Sequence, residues 1–194
     1  HIGLNDTELE YLALKAVARK ISRRDFSLAV TAKMDGGTTV AGTLFAAHKA
    51  GIRVFATGGI GGVHRGNPFD ISADLIELRQ TPMIVICSGA KAILDLPATR
   101  EVLESYGIPV VGYRTHELPA FYTSHSGLSV DVRVENAADI AAIAKNHWAL
   151  GLSSAILVVN PPPEDASLPS ELIEKHIALA LSQAEEAGIT GAAM

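Results

Sequence analysis

The sequence predicts an α/β fold with a largely parallel sheet that is covered by helices on both faces. Apolar runs such as IRVFATGG, MIVICSG, IPVVGY and SSAILVVN alternate along the chain with segments of helical spacing. These runs are continuously apolar, which is typical of parallel strands that are buried on both faces. The chain has 194 residues, of which 48% are hydrophobic, so it is long enough for one substantial core. We therefore expect a single domain over residues 1–194.

The predicted helices follow in order. TELEYLALKAVARK predicts the first, in which Thr7 and Glu10 have the spacing of a capping box and the apolar periodicity extends to Val17. TTVAGTLFAAHKAG predicts a second helix that ends at Gly51, and DISADLIELRQ, TREVLESYG and AADIAAIAKNHWALG predict three more. PSELIEKHIALALSQAEEAG predicts a last amphipathic helix, whose outward-facing residues are Glu171, Glu174 and Lys175.

Two segments have other patterns. LSVDVRVEN alternates strictly between apolar and polar residues, which predicts a half-exposed strand at a sheet edge or in a protruding hairpin. NPPPEDASLP is rich in proline but too short for a domain linker, so we interpret it as a loop that follows a strand.

Composition and charge exclude several classes of partner. The formal net charge is -5 and the basic residues are scattered, so we expect no nucleic-acid binding. No run approaches the ~18 apolar residues of a membrane span, and we expect no membrane partner. Cys87 is the only cysteine, which excludes an intrachain disulfide, and its apolar strand predicts a small core residue. The first residues lack the pattern of a secretory signal, and we expect a cytoplasmic location.

A glycine-rich stretch, ATGGIGGVHRGNPFDISAD, follows one predicted strand. Ligands of open α/β sheets bind beyond the carboxyl ends of the strands, so this is a candidate site. A dinucleotide fingerprint is excluded because its third glycine would fall at His64. The backbone amides, together with Thr57, His64 and Arg65, could surround an anion such as a phosphate. The alternative is that the glycines only form a tight turn.

The segment CSGAKAIL places Lys91 after a buried strand and at the expected start of a helix. Only a neutral amine is a nucleophile, and a helix N-terminus or a neighbouring cation would lower the pKa of this lysine. Lys91 is therefore a candidate Schiff-base lysine. The alternative is a surface lysine whose stem covers apolar residues while its charge stays in water.

The runs KISRRDF, GGTTVAGT, VFATGGIGGVHRG, FDISADL, CSGAKAILDLPAT, GIPVVGY and LPAFY occur in this order over nearly the whole chain. Together they resemble the pseudouridine-5′-phosphate glycosidase family, whose members are also called indigoidine synthase A-like proteins. The resemblance implies a three-layer α/β/α sandwich with a largely parallel or mixed central sheet. It also implies an enzyme that reversibly cleaves pseudouridine 5′-phosphate to uracil and ribose 5-phosphate, uses one Mn²⁺ per subunit and assembles as a homotrimer.

The resemblance further implies roles for individual residues. Lys91, the lysine of GAK, corresponds to the covalent nucleophile of the family, and Asp70 corresponds to its metal ligand. The positions that match substrate contacts are Lys20, Thr39, Val40, Thr57, His64, Ser72, Ala73 and Asp74.

These residue types suit the implied chemistry. A C–C glycosidic bond is hard to break because the departing uracil carbon carries carbanion character, so an electron sink is needed at C1′. Attack by Lys91 with opening of the ribose ring provides an iminium. We expect Asp74 to transfer a proton, and Lys20 to contact the phosphate or lower the pKa of Lys91. Asp70 suits a hard divalent cation that is held largely through water.

Two alternatives to this function remain open. The enzyme could instead be a C-glycosynthase that joins ribose 5-phosphate to another aromatic carbon, or the protein could bind sugar phosphates without catalysis. Two features of the family, a glutamate proton donor near its N-terminus and an asparagine near its C-terminus, have no match in this sequence. We therefore expect this chain to lack the family's N-terminal segment and C-terminal helices and to bind ribose 5-phosphate with impaired turnover, unless Asp74 or Glu117 supplies the proton.

Overall fold

A computed structural model describes residues 3–15 and 18–189. The helices are α1 (Asp6–Leu14), α2 (Phe26–Thr31), α3 (Val40–Lys49), α4 (Ala73–Gln80), α5 (Leu96–Ser105), α6 (Ala137–Ala149) and α7 (Ser170–Glu186), with a 3-10 turn at Arg23–Asp25. The strands are β1 (Arg19–Ile21), β2 (Gly36–Thr38), β3 (Val54–Ala56), β4 (Val63–His64), β5 (Asn67–Ile71), β6 (Ile84–Cys87), β7 (Leu94–Asp95), β8 (Val110–Tyr113), β9 (Val132–Val134) and β10 (Ile156–Val159).

The central sheet has five strands in the order β3-β6-β10-β8-β9, and every pair in it is parallel. The predicted parallel sheet is therefore confirmed. The alternating segment LSVDVRVEN contributes β9, which lies at one edge as predicted and runs parallel to β8. Because all five strands run in the same direction, the segments that follow them emerge along one edge of the sheet.

Apolar residues cover both faces of this sheet. Leu157 and Val159 of β10 pack in one core cluster with buried residues of α3, α4 and α5. Ile156 and Val158 of the same strand pack in a second cluster with buried residues of α6. Successive residues of a strand point to opposite faces, so the two clusters lie on opposite sides of the sheet. This arrangement is the expected three-layer α/β/α sandwich.

Two smaller sheets flank the central one. β1 and β2 form a parallel pair, and β5, β4 and β7 form a three-stranded antiparallel sheet. The antiparallel sheet pairs His64 with Leu94 and so connects the glycine-rich stretch to the segment that follows Lys91. Among the described residues, no helix is long and apolar enough to cross a membrane.

One local prediction was wrong and two were confirmed. The capping box of α1 is formed by Asn5 and Glu8, not by Thr7 and Glu10, because Asn5 accepts the Glu8 amide and the Glu8 carboxylate accepts the Asn5 amide. Val17 lies outside the described residues. Gly51 follows α3 with φ +79°, as predicted for the glycine that ends this helix. The proline-rich segment is a loop between β10 and α7, as predicted.

Candidate active site

Two loops run side by side at the carboxyl edge of the central sheet. They are the glycine-rich segment, residues 57–62 after β3, and the lysine loop, residues 88–94 after β6. The Ser88 amide donates to the Gly58 carbonyl at 3.0 Å, and the Ile60 amide donates to the Gly89 carbonyl at 3.1 Å. The Lys91 amide then donates to the Ile60 carbonyl at 3.1 Å. The backbone of Lys91 is therefore fixed against the glycine-rich segment, while its side chain is exposed.

Lys91 does not begin a helix. The chain turns at Ala92, enters β7 at Leu94 and starts α5 only at Leu96. The prediction that a helix N-terminus lies at this lysine was wrong, because pairing of Leu94 with His64 in the antiparallel sheet takes the place of the first helical turn. Lys91 therefore lacks the helix N-terminus that the sequence predicts at this position.

Asp74 is buried beside the same segment. Its Oδ1 atom accepts the Ala41 amide at 2.8 Å, and its Oδ2 atom accepts the Gly61 amide at 2.8 Å. Asp74 therefore joins the first turn of α3 to the glycine-rich segment. Gly61 directly follows Ile60, whose carbonyl accepts the amide of Lys91. Its role in proton transfer stays a prediction.

Helix caps place several of the predicted substrate-binding residues near the glycine-rich segment and Asp74. Ser72 caps α4 by accepting the Asp74 amide at 3.2 Å, and its own amide donates to the Gly62 carbonyl at 2.9 Å. Ala73 follows as the exposed first residue of α4. Thr39 caps α3 by accepting the Gly42 amide at 3.1 Å, which places Val40 at the helix start, next to Ala41, whose amide Asp74 accepts.

Backbone hydrogen bonds also place Lys20 and Thr57. The Thr39 amide donates to the Ile21 carbonyl at 2.9 Å, so exposed Lys20 precedes a residue that contacts the start of α3. Thr57 is half-buried at the end of β3, and its amide donates to the Ile86 carbonyl at 2.9 Å. Hydrogen bonds thus bring most of the predicted residues around the glycine-rich segment.

His64 and Asp70 lie on the β4–β5 hairpin and are both exposed. The His64 Nδ1 atom is 4.0 Å from the Asp70 Oδ2 atom, and each side chain is about half exposed. The described residues contain no cluster of three or more His, Cys, Asp or Glu side chains that could hold a metal ion. A single accessible carboxylate fits a hard cation that keeps most of its water ligands, and it does not fit a site of the kind that zinc prefers.

Arg65 does not point into an anion site. Its Nη1 and Nη2 atoms each donate at 2.8 Å to the carboxylate of Glu174 on α7. Its Nε and Nη2 atoms also donate to the carbonyls of Leu94 and Ala92. The structure does not support Arg65 as an anion donor, because four of its five N–H groups donate to protein acceptors. Glu174 is exposed on α7, as predicted, and it also pairs with Arg65.

The glycines of the glycine-rich segment allow close packing. A Cβ atom built on Gly61 would lie 2.2 Å from Ser72 Oγ, and one on Gly62 would lie 2.3 Å from Thr99 Oγ1. The Gly61 amide is used by Asp74, and the Val63 amide donates to Thr99 Oγ1 at 2.9 Å. These contacts favour the tight-turn interpretation for this half of the segment, because protein acceptors occupy amides that an anion would need.

Phe121 is a site residue that the sequence did not reveal. Its backbone is left-handed with φ +67°, and its amide donates to the Ser88 carbonyl at 3.0 Å. Its ring packs on Gly59, where a Cβ would lie 2.5 Å from the ring. A non-glycine residue in this conformation is strained and is often found at functional sites. No local pattern in the LPAFY run indicates a positive φ at phenylalanine.

Glu117 is unsuited to donate a proton at neutral pH. Its Oε2 atom accepts the amides of Gly127 at 3.0 Å and Ser126 at 3.1 Å, and His125 Nδ1 lies 3.6 Å from Oε1. These hydrogen bonds, that of Gly127 first, lower the pKa of the Glu117 carboxyl, although burial opposes the shift. The expectation that Glu117 could replace a missing acid therefore finds no support in its surroundings.

A cleft of about 630 Å³ lies between α7 and the loops around residues 92–97 and 120–128. Its lining includes Arg65, Glu174 and Ala92, but neither Lys91 nor Asp74. The cleft therefore adjoins the lysine loop without containing the predicted catalytic residues. The candidate site is therefore formed by the converging loops, because the predicted nucleophile lies there and not in the cleft.

The chain is similar to proteins of known name. A pseudouridine-5′-phosphate glycosidase from Herpetosiphon aurantiacus is 52% identical over 196 residues, covering 100% of this chain and 65% of the relative. A protein of the same name from Caldanaerobacter subterraneus is 51% identical and is covered over 64% of its length. The chain thus spans slightly less than two thirds of the length of these relatives.

Solved structures agree with the fold. The prealnumycin C-glycosynthase AlnA, determined in complex with ribulose 5-phosphate, superposes with a TM-score of 0.92 at 41% identity, over 97% of this chain and 63% of AlnA. An indigoidine synthase A-like protein from Thermotoga maritima superposes with a TM-score of 0.85 at 37% identity, over 91% of this chain and 59% of that protein. The family described as indigoidine synthase A like protein matches residues 1–194, and the chain belongs to this family.

Proposed function

We propose that this protein catalyses the reversible cleavage of the C–C glycosidic bond of pseudouridine 5′-phosphate to uracil and ribose 5-phosphate, with Lys91 as the nucleophile. The observation that carries the proposal is the hydrogen bond of the Lys91 amide to the Ile60 carbonyl, which holds an exposed lysine where two parallel strands end. Relatives about half identical to the chain carry the name of this activity, which supports the proposal.

The reaction needs a C1′ carbon that is stabilised when the electron pair of the C1′–C5 bond leaves with uracil. The amine of Lys91 attacks C1′ and the C1′–O4′ bond breaks, which opens the ribose ring; O4′ takes a proton and the nitrogen loses one. The nitrogen lone pair then forms a C1′=N double bond as the C1′–C5 bond breaks. The electron pair of the C1′–C5 bond passes to uracil C5, which takes a proton. Water adds to the iminium and releases ribose 5-phosphate and the amine. Asp74 is the proposed proton-transfer group, because it accepts the Gly61 amide, next to the Ile60 carbonyl that accepts the Lys91 amide.

We propose that the sugar phosphate lies among Lys20, Thr57 and His64, which provide a cation and hydrogen-bond donors. Asp70 is the proposed ligand of a divalent cation such as Mn²⁺, which when bound would offset the charge of the phosphate. The ribulose 5-phosphate in AlnA is an open-chain pentose phosphate, which supports a ligand of this class here. Uracil is the proposed base, and assembly as a trimer and a cytoplasmic location stay predictions.

Reductive trapping tests the proposal. The protein is incubated with ribose 5-phosphate and sodium borohydride, and the modified lysine is mapped by peptide mass spectrometry. We expect a pentose phosphate adduct at Lys91 that is absent from Lys91→Arg and unaffected in Lys145→Arg, an exposed position on α6. An adduct at Lys20 or Lys33 instead would overturn the assignment.

The similarity to AlnA supports a second candidate, a C-glycosynthase that joins ribose 5-phosphate to another aromatic carbon. The two candidates share the sugar chemistry and differ in the base. Release of uracil from pseudouridine 5′-phosphate, together with its reverse, favours the glycosidase. Turnover of a polycyclic aromatic acceptor without turnover of uracil favours the synthase.

A further inference from the structure

Arg65 holds two carbonyls of the lysine loop. Its Nη2 atom donates to the Ala92 carbonyl at 3.0 Å, and its Nε atom donates to the Leu94 carbonyl at 3.1 Å. These carbonyls belong to the first and third residues after Lys91, where the chain turns from the end of β6 into β7. The rigid fork of a guanidinium can bind both carbonyls at once, which an ammonium on a flexible stem cannot reproduce.

Glu174 fixes the other edge of the same guanidinium. Its two oxygens accept from Nη1 and Nη2 of Arg65 at 2.8 Å each. The pKa of Arg65 is raised and that of Glu174 is lowered, in both cases chiefly by this hydrogen bonding. The Arg65 side chain is 31% exposed, so the pair is less screened than a fully solvated one.

This ion pair is a direct link between α7 and the lysine loop. Helix α7 has 17 residues and none of them is buried, so packing alone attaches it weakly. The cleft of about 630 Å³ lies under it, with Arg65 and Glu174 in its wall. Because Arg65 binds both elements, a shift of α7 would move the backbone next to Lys91.

We propose that Arg65 is a positioning residue for Lys91 and that Glu174 orients Arg65 for this task. The inference rests on the proposed role of Lys91 as nucleophile. With Arg65 in place, the turn after Lys91 has one conformation, and the amine is presented to C1′ in one orientation. Without it, the turn samples several conformations and the amine reacts more slowly, although the residues that contact the sugar phosphate are unchanged.

Amide hydrogen exchange tests the positioning independently of the reaction. In Arg65→Ala we expect amides of residues 88–95 to exchange about tenfold faster, because charge-assisted hydrogen bonds to the loop are lost. Arg133→Ala is the matched control, since Arg133 on β9 forms a comparably exposed ion pair with Glu135. Unchanged exchange over residues 88–95, or equal acceleration in the core strand β10, would overturn the inference.

Reductive trapping at saturating ribose 5-phosphate tests the consequence for Lys91. We expect the rate of adduct formation to fall about tenfold in Arg65→Ala and less in Glu174→Gln, with ribose 5-phosphate affinity within about threefold of wild type. Millimolar guanidinium should restore the rate of Arg65→Ala, whereas equal ammonium should not. A wild-type rate in Arg65→Ala would refute the positioning role. Absence of any adduct in the wild-type protein would refute the proposed function instead, and hydrogen exchange would still decide whether Arg65 holds the loop.

Discussion

Asp74 and Gly61 are joined by a hydrogen bond of 2.8 Å from the Gly61 amide to the Asp74 Oδ2 atom. The other carboxylate oxygen accepts the Ala41 amide, and the residue is only 6% exposed. In Asp74→Asn, an amide NH₂ group would face one of these backbone donors, which then loses its acceptor. We expect the free energy of unfolding in urea to fall by about 1–3 kcal/mol.

Asp165→Asn is the matched control, because Asp165 is exposed in the loop before α7. The control should unfold within about 0.5 kcal/mol of wild type. If Asp74→Asn is as stable as the control but cleaves no pseudouridine 5′-phosphate, then Asp74 acts in proton transfer and its structural role is secondary.

Gly61 is expected to tolerate no side chain. A Cβ atom at this position would lie 2.2 Å from Ser72 Oγ and 2.9 Å from Asp74 Oδ2, so Gly61→Ala would separate the glycine-rich segment from α4. We expect Gly61→Ala to lower the free energy of unfolding by about 1–3 kcal/mol. Gly37→Ala is the control, because a Cβ there has nothing within 4 Å. Equal stability of the two variants in urea would contradict the prediction.

The alternation of apolar strands and helices was enough to predict the sandwich, because each parallel strand is buried on both faces. The position of Lys91 after a strand could likewise be predicted, because strand ends are marked by small residues in SGAK. The helix expected at Lys91 was wrong because local propensity favours a helix there, whereas pairing of Leu94 with His64 favours a short strand.

Other parts of the site depend on residues far apart in the sequence. Arg65 and Glu174 are separated by 109 residues, and neither has a local pattern that indicates its partner. Phe121 has a positive φ that its own residue type disfavours, so the surrounding contacts alone determine it. A single sequence contains no direct signal for such pairs, and only the fold brings them together.

Asp70 is expected to bind Mn²⁺ with few other protein ligands. We expect Asp70→Asn to weaken Mn²⁺ binding, measured by the loss of the free-ion signal in electron paramagnetic resonance, by about tenfold or more. Asp165→Asn again serves as the control. A carboxylate with water ligands prefers hard cations, so Mn²⁺ should also restore turnover of the chelator-treated protein better than Zn²⁺. Mn²⁺ binding that is equal in both variants, or full turnover in chelator, would contradict this assignment.

Cys87 is expected to be inert in the folded protein. It is fully buried in β6, and burial raises the pKa of its thiol to about 12. Because the thiolate is the reactive form, iodoacetamide near pH 8 should leave the native protein unlabelled and should label it after denaturation in urea. The single cysteine makes the mass change unambiguous. Rapid labelling of the native protein would mean that β6 opens locally far more often than its burial indicates.

Glu117 is expected to contribute a pH-dependent part of the stability. Hydrogen bonds from Gly127 and Ser126 lower the pKa of its carboxyl from the ordinary value of 4.5, so the ionised form is favoured in the folded state. Its contribution is therefore fully present above about pH 4.5 and is lost as the pH falls through the lower folded-state pKa. We expect the melting temperature of wild type to exceed that of Glu117→Gln near pH 7, and the difference to shrink toward about pH 3. Glu171→Gln, at an exposed position on α7, controls for the loss of one charge.

Since an ionised carboxylate has no proton to donate, Glu117→Gln should also leave reductive trapping at Lys91 unchanged. A melting difference that does not vary with pH, or a trapping rate that falls by about tenfold, would show that Glu117 acts in the chemistry rather than in holding its loop.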